Sequence, residues 1–490
     1  MTFAFQSTFS SLPDTLFSPV RPTTVREPAL IRLNDALAGE LGLDAQWLRG
    51  AEGLAALSGN AVADTSIPIA LAYAGHQFGN FVPQLGDGRA ILLGEVVDRA
   101  GDRRDIQLKG AGRTPYSRRG DGRAALGPVL REYIVSEAMA ALGVRTTRAL
   151  AAVATGDRVQ RETGLPGAVL TRVAASHIRV GTFQYAAARG DGEALRRLAD
   201  YVIARHYPEA AAADNPYLAL LEQVIDAQAR LIAHWLSLGF IHGVMNTDNM
   251  AISGETIDYG PCAFLDAYDP AKVFSSIDEY GRYAFANQPR IAVWNLARLA
   301  ETLLPLIHET PDAAIAAAEQ ALSSFAPIFQ DAQIGHMRAK LGLTSALPED
   351  TALIDDLLRT MQEGQADFTL TFRSLSQAPL DDGVPGELAR LFSNQERLAH
   401  WYARYTERLR QDPLSPPERE RRMRATNPCY IPRNHRIEAV IRAAVADGDY
   451  APFHELVDVL ATPYVERPGK DAYAAPPEPG EEVLRTFCGT

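Results

Sequence analysis

Residues 241–266, IHGVMNTDNMAISGETIDYGPCAFLD, concentrate side chains that can hold a metal ion or accept a proton. Asn249 and Asp258, nine positions apart, offer two hard oxygen ligands. That suits Mg²⁺, which takes one or two protein ligands and completes its shell with phosphate oxygens and water. Asp248 is the one carboxylate of HGVMNTDNM left to serve as a base. A second concentration lies upstream. Between Arg103 and Arg131 eight basic side chains meet two acids, a local balance of +6 in a chain of formal net charge −12. Gly110, Gly112, Gly120 and Gly122 let backbone approach a ligand there, and arginine forks match phosphate oxygens two at a time. Charge clusters are more often solvated surface, but this mixture of Gly and Arg suits a nucleoside triphosphate.

The elements around these residues must bring them together. Gly86-Asp87-Gly88-Arg89 reads as a turn before the strand AILLGEV, and DIQLKG reads as its partner, ending in Lys109. After the Gly/Arg connection, REYIVSEAMAALGV has helical periodicity and stops at a glycine. Of its two acids, Glu132 at the helix start is the expected partner of Lys109, with Glu137 the other candidate. A further strand pair follows at ALAAVATG and AVLTRVA, and beyond residue 190 the pattern is mainly helical. In the first 70 residues a short amphipathic helix is expected around Leu30–Leu41. Near the C-terminus seven arginines between Arg404 and Arg424 face four acids, which reads as a solvated helix face, and PPEPGEEVLRTFCGT reads as a loose tail.

This order predicts an α+β, two-lobed protein-kinase-like fold. The expected divisions are an N-terminal extension (1–70), a small β-rich N-lobe with the phosphate pocket (71–190), a larger helical C-lobe with the 241–266 loop (191–410), and a C-terminal helical extension and tail (411–490). A kinase catalytic loop reads H-R-D-x-x-x-x-N, followed by D-F-G. Here His242-Gly243-Val244 precedes Asn249 at the right spacing, and Asp258-Tyr259-Gly260 stands for D-F-G, but Val244 replaces the catalytic Asp. Singly, each Asn or Asp is better read as a turn cap and Lys109–Glu132 as a surface ion pair. Jointly, Lys, Glu, Asn and D-Y-G make chance a poor explanation.

Composition sets the outer limits. With 490 residues, 47% hydrophobic and 22% charged, the chain is too apolar to be wholly disordered. The net charge of −12 disfavours nucleic acid and anionic membranes as partners, and the basic island lacks the aromatic interleaving of a strand-tracking groove. Three scattered cysteines fit a reducing cytoplasm, and neither a signal peptide nor a membrane-spanning run is read. A monomer is expected.

Four stretches together resemble one family: YAGHQFGNFVPQLGDGRAILLGEV, DIQLKGAGRTPYSRRGDGRAALGPVLREYIVSEAM, HGVMNTDNM with IDYGP, and GRYAFANQP. They are similar to the selenoprotein O (SelO) protein adenylyltransferases, most densely over 70–295. The resemblance implies a pseudokinase that binds ATP in an inverted pose and transfers AMP to Ser, Thr or Tyr hydroxyls of protein substrates, a class that can include the enzyme itself. It implies that Gly86, Gly88, Arg89, Lys109, Asp121, Gly122, Arg172, Arg179 and Asp258 contact ATP. It further implies that Asn249 and Asp258 hold Mg²⁺ or Mn²⁺, that Asp248 is the base, and that Glu132 orients Lys109. Family members often carry a redox-active Cys near the C-terminus, where Cys488 stands here. Two other readings stay open: γ-phosphate transfer with Asp248 replacing the lost base, and a catalytically silent ATP-binding scaffold, which would not need Asn249 and Asp258 together.

Overall fold

An eight-stranded sheet dominates the first part of the computed structural model, which describes residues 3–377 and 383–487. In chain order the first strands are β1 (Phe17–Pro19), β2 (Ala29–Leu33) and β3 (Ile69–Leu71), then a separate hairpin of β4 (Gly75–Gln77) and β5 (Asn80–Val82). The sheet continues with β6 (Ala90–Val97), β7 (Arg103–Lys109), β8 (Ala124–Ala125), β9 (Arg148–Gln160) and β10 (Gly164–Ala174). Its order is β1-β3-β6-β7-β10-β9-β2, with β8 beside β10. All its pairings are antiparallel.

Strand periodicity divides the labour between the two faces. On β7, Ile106 and Leu108 join one buried cluster with Ile91, Leu93, Val169 and Val173. Helices α1 (Asp35–Glu40), α2 (Ala45–Arg49) and α3 (Ala51–Ser58) cover that face. Their Leu37, Leu41, Leu48 and Leu57 are buried there, each contributing about 1.5–3 kcal/mol. The alternate residues Asp105, Gln107 and Lys109 therefore point to the opposite face, where α4 (Leu126–Ala141) packs. Register does the rest: Arg172 lies opposite Gln107, and Leu170 opposite Lys109.

The remainder is largely helical: α5 (Val180–Ala188), α6 (Gly192–His206), α7 (Pro216–Leu238), α8 (Gln288–Ile307), α9 (Pro311–Ser323), α10 (Phe325–Lys340), α11 (Asp350–Gly364) and α12 (Phe368–Leu375). Local signals explain the ends of α7: the Asn215 side chain accepts the Leu218 N–H at 3.1 Å, Pro216 needs no donor, and the helix stops at Gly239. Between α7 and α8 the chain forms a two-stranded ribbon, β11 (Phe240–Ile241) and β12 (Ala263–Phe264), and the polar loop lies between its strands. Helices Asn434–Asp447 and Ala451–Leu460 pack on α4. Arg131 of α4 pairs with Glu438 at 2.5 Å, and the Asn434 amide clamps the Phe264 backbone at 2.9 and 3.3 Å.

Three expectations need correction. Leu30–Leu33 is strand, not helix, because it pairs with β9 at the sheet edge; the helix begins only after the Asn34 cap. The arginine-rich segment is not uniformly solvated. Arg421 and Arg422 share Glu418 at the surface, but Arg408 and Arg419 are buried, Arg408 against Asp350 at 2.6 Å. The tail is tied down at Thr486, which is buried and bridges to Ser275. Cys262 and Cys429 are buried free thiols, and Cys488 lies outside the described residues. No helix among the described residues is long and apolar enough to cross a membrane.

Candidate active site

The functional face of the sheet carries a buried network of alternating charge. Lys109 Nζ donates to Glu132 Oε2 at 2.7 Å and to Asp258 Oδ1 at 3.1 Å. Arg172, opposite Gln107 on β10, bonds Glu132 Oε1 through Nε at 2.8 Å and also through Nη2. It donates to Gln107 Oε1 at 3.3 Å and reaches Asp258 Oδ1 at 2.6 Å. Arg179, at the start of α5, donates to Asp258 Oδ2 at 3.1 Å and Asp87 Oδ1 at 3.4 Å, with its guanidinium 4.4 Å above the Tyr73 ring. Three cations thus meet three carboxylates. Burial opposes charge on Asp258, yet Arg172, Lys109 and Arg179 outweigh it and hold its carboxyl well below the usual range. Glu132 is lowered against burial by Arg172 and Lys109.

Glu132, and not Glu137, is the partner of Lys109. Glu137 faces the other way along α4, taking Arg148 at 2.9 Å and the Asn34 amide at 2.7 Å. Asp258 has φ +63°, a left-handed conformation rare for residues other than Gly, held by Gly260 N–H to its carbonyl and by Tyr259. The Tyr259 side chain is buried and its hydroxyl bonds Thr146. His242 ties the two polar segments together: its Nε2 lies 2.9 Å from the Ile257 carbonyl, and its N–H donates to Gln288 Oε1 at 3.0 Å.

Asp248 sits on the short Thr247–Asn249 turn under the β4–β5 hairpin. Successive hairpin residues hold that turn. His76 N–H donates to Thr247 Oγ1 at 2.7 Å, Gln77 Nε2 to Asp248 Oδ2 at 3.3 Å, and Phe78 N–H to Asn246 Oδ1 at 3.0 Å. Asp248 Oδ1 is buried with no hydrogen-bond partner. A Cβ on Gly75 would lie 2.5 Å from it, so the hairpin can approach only without a side chain there. Burial pushes the Asp248 carboxyl up to about 6, against the pull of Arg179.

The donors suit a hard cation. No group of three or more His, Cys, Asp and Glu that could hold a metal occurs among the described residues. The smaller set fits by its chemistry: Asn249 spends its amide nitrogen on the Val244 carbonyl at 3.0 Å, which leaves its oxygen for a cation, and among the described residues Asp258 Oδ2 accepts from Arg179 alone. Two oxygen donors are what an ion completed by phosphate oxygens requires.

The other expected residues fall around this centre with one exception. Gly86, φ +80°, packs on Tyr116, whose ring a Cβ would meet at 2.3 Å; Ser117 Oγ bonds the Gly88 carbonyl. The Arg89 carbonyl accepts Gly110 N–H at 2.7 Å, registering the start of β6 with the end of β7. Asp121 is not drawn into the network: it pairs with Arg161 at 3.0 Å near the surface, while the Gly122 carbonyl accepts Gly112 N–H at 3.0 Å. Three contributors were not singled out from sequence: Asp87, Gln107 and Gln77. The D-I-Q-L-K alternation could have exposed Gln107; the other two depend on contacts distant in the chain.

The chain matches other proteins along its length. The family model for protein adenylyltransferase SelO matches residues 1–461. The protein nucleotidyltransferase YdiU of Bradyrhizobium sp. (strain BTAi1) is 62% identical over 488 residues, spanning 100% of this chain and 99% of the relative. The YdiU nucleotidyltransferases of Rhizobium meliloti (strain 1021), 62% identical over 488 residues, and Methylorubrum populi, 61% over 494, cover the same shares. Relatedness of that extent, joined to this network of charges, makes the chain a member of the SelO family of protein adenylyltransferases, and so an enzyme of the nucleotidyltransferase class.

Proposed function

We propose that the chain transfers AMP from ATP to Ser, Thr or Tyr hydroxyls of protein substrates, at the cleft of a two-lobed kinase-like body. In this reading residues 71–190 form the smaller lobe and 191–410 the larger, with 1–70 and 411–490 as extensions. The observation that carries it is the convergence of Lys109, Arg172 and Arg179 on Asp258, on a segment that His242 ties to the Asp248 loop.

In the reaction, the acceptor oxygen bonds the α-phosphorus as the bond to the bridging oxygen of pyrophosphate breaks. Asp248 takes the hydroxyl proton as the general base of its loop. Burial makes this carboxylate a stronger base than an exposed one, while leaving it ionised at neutral pH. Lys109, Arg172 and Arg179 stabilise the phosphates, with Gly86, Gly88 and Arg89 approaching from the turn before β6. Glu132 keeps Lys109 aimed, and Gln107 and Asp87 do the same for the two guanidiniums. Asn249 and Asp258 would hold Mg²⁺ or Mn²⁺, which offsets charge as pyrophosphate leaves. Asp121 and Gly122 would reach the nucleotide phosphates from the Gly/Arg connection after β7.

Incubating the full chain with Mg²⁺, a protein acceptor and ATP labelled at either the α- or the γ-phosphate tests this. Label should stay with protein only from the α position. Label retained only from γ would replace the reading with phosphotransfer.

A further inference from the structure

Nine large hydrophobic side chains are exposed among the described residues, and five of them fall on three neighbouring segments: Phe81, Ile277, Tyr280, Leu484 and Phe487. The segments are tied to each other and to the Asp248 loop. The Phe78 ring packs on Tyr283 at 5.2 Å, and both residues bond Asn246 Oδ1, Phe78 through its N–H and Tyr283 through its hydroxyl at 2.5 Å. Thr486 N–H donates to the Phe274 carbonyl at 2.7 Å, and its own carbonyl accepts Ser276 N–H at 3.0 Å, fixing the tail beside the 274–282 segment. Exposed apolar groups gathered in this way mark an interaction surface.

The surface also carries unspent positive charge. A cavity of about 450 Å³ opens between Phe78 and residues 277–290. Arg282 and Arg290 line it, and neither makes an ion pair with a described carboxylate, in a chain with 60 acids against 48 basic residues. Asp278 is occupied in accepting the N–H groups of Arg282 and Tyr283 at 2.9 and 2.7 Å, and Glu279 shares the wall without pairing with either arginine. Arg282 is braced 4.8 Å above the Trp294 ring, and Arg290 is exposed. Arg282, held in place without a described carboxylate, is positioned to receive one, with Arg290 beside it on the same wall.

We propose that this surface docks the acceptor protein through a segment that sets an aromatic or aliphatic side chain beside a carboxylate, delivering a nearby hydroxyl to Asp248. The proposal rests on the AMP-transfer reading for its consequence but not for its test. Two fluorescein-labelled twelve-residue peptides with a central Ser serve as probes, one with Phe and Glu following the Ser, the other with Lys in place of Glu. Fluorescence polarisation against the full chain should show the Glu peptide binding roughly tenfold tighter. Arg290→Glu, on an exposed helix position, should erase or invert that preference, and Tyr280→Ala should weaken both peptides several-fold. Equal affinities, no binding of either peptide, or a preference untouched by Arg290→Glu would overturn the proposal. Because polarisation needs no chemistry, a parallel assay with α-labelled ATP that fails would count against AMP transfer alone.

Discussion

Two interior regions of this molecule pair arginines with carboxylates, and they differ in backbone strain and in what one carboxylate is left without. In the helical part, Arg433 bonds Asp266 at 2.7 Å and Asp367 at 2.6 Å, and Asp367 also caps α12 through Leu370 N–H. Arg408 and Asp350 are similar, with side chains 3% and 0% exposed. In that region each carboxylate has a structural task and each guanidinium a fixed partner. Exposure does not separate the two, Asp258 being 22% and Asp266 24% open, but in the sheet region Asp258 sits at positive φ and Asp248 keeps an oxygen without a hydrogen-bond partner among the described residues. Buried ion pairs by themselves do not mark a site. The strained backbone and the unsatisfied carboxylate oxygen single out the candidate site.

Substitutions can break this contrast. The largest effect is expected from Asp258→Ala, which removes the group on which three cations converge. Metal-dependent AMP transfer should fall by at least about 10³-fold, and wild-type turnover in that variant would refute the metal assignment. Asp248→Ala should slow transfer by about 10²–10⁴-fold while a fluorescent ATP analogue binds nearly as before; normal turnover would remove Asp248 as the base. Arg433→Ala belongs to the helical region and should cost about 3–5 kcal/mol of stability by chemical denaturation, with nucleotide affinity of the folded protein kept. An equal loss of nucleotide affinity would erase the distinction between the regions.

The smallest effect concerns a third kind of buried charge. Lys340 is buried against the Phe368 and Phe372 rings, 5.6 and 4.4 Å away, with no ion pair to a described carboxylate. Burial lowers its amine to about 7. Between that value and the unfolded value of about 10.4 the unfolded chain binds the extra proton, so stability rises with pH across this window. From pH 7 to 9 the gain should be on the order of 2 kcal/mol, and Lys340→Met should abolish it. Urea titrations of both proteins at the two pH values would show parallel behaviour if the amine is not responsible.

Much of the site was legible because its signals are local. Lys109 ends a strand, Glu132 lies on the helix that follows (one that starts earlier than expected, at Leu126), and Asn249 and Asp258 keep a recognisable spacing. The choice of Glu132 over Glu137 came from position on the helix, and contacts with Arg148 and Asn34 explain it. Asp87 and Gln77 were missed because their roles arise from Arg179 and Asp248, far along the chain. Strand β2 escaped for a related reason: Ile31 and Leu33 alternate weakly, and only pairing with β9 makes them a strand. Arg408 and Arg419 show that a run of charge does not reveal which members will be buried.

Strand β7 serves as a molecular ruler. Gln107 and Lys109 join the candidate site while Ile106 and Leu108 build the core under α1–α3, so both are measured off by four successive residues. Inserting a single residue between Arg103 and Gln107 would turn part of the strand over, sending Ile106 toward the charges or Gln107 into the leucines. Frameshifts of one position here cannot yield a stable but inactive enzyme; fold and chemistry would be lost together. Tolerance to insertion in this segment should therefore be close to nil, whereas the Asp98–Asp102 turn just before it, which closes on itself through Asp98 N–H to Asp102 O, is the natural place for length to vary.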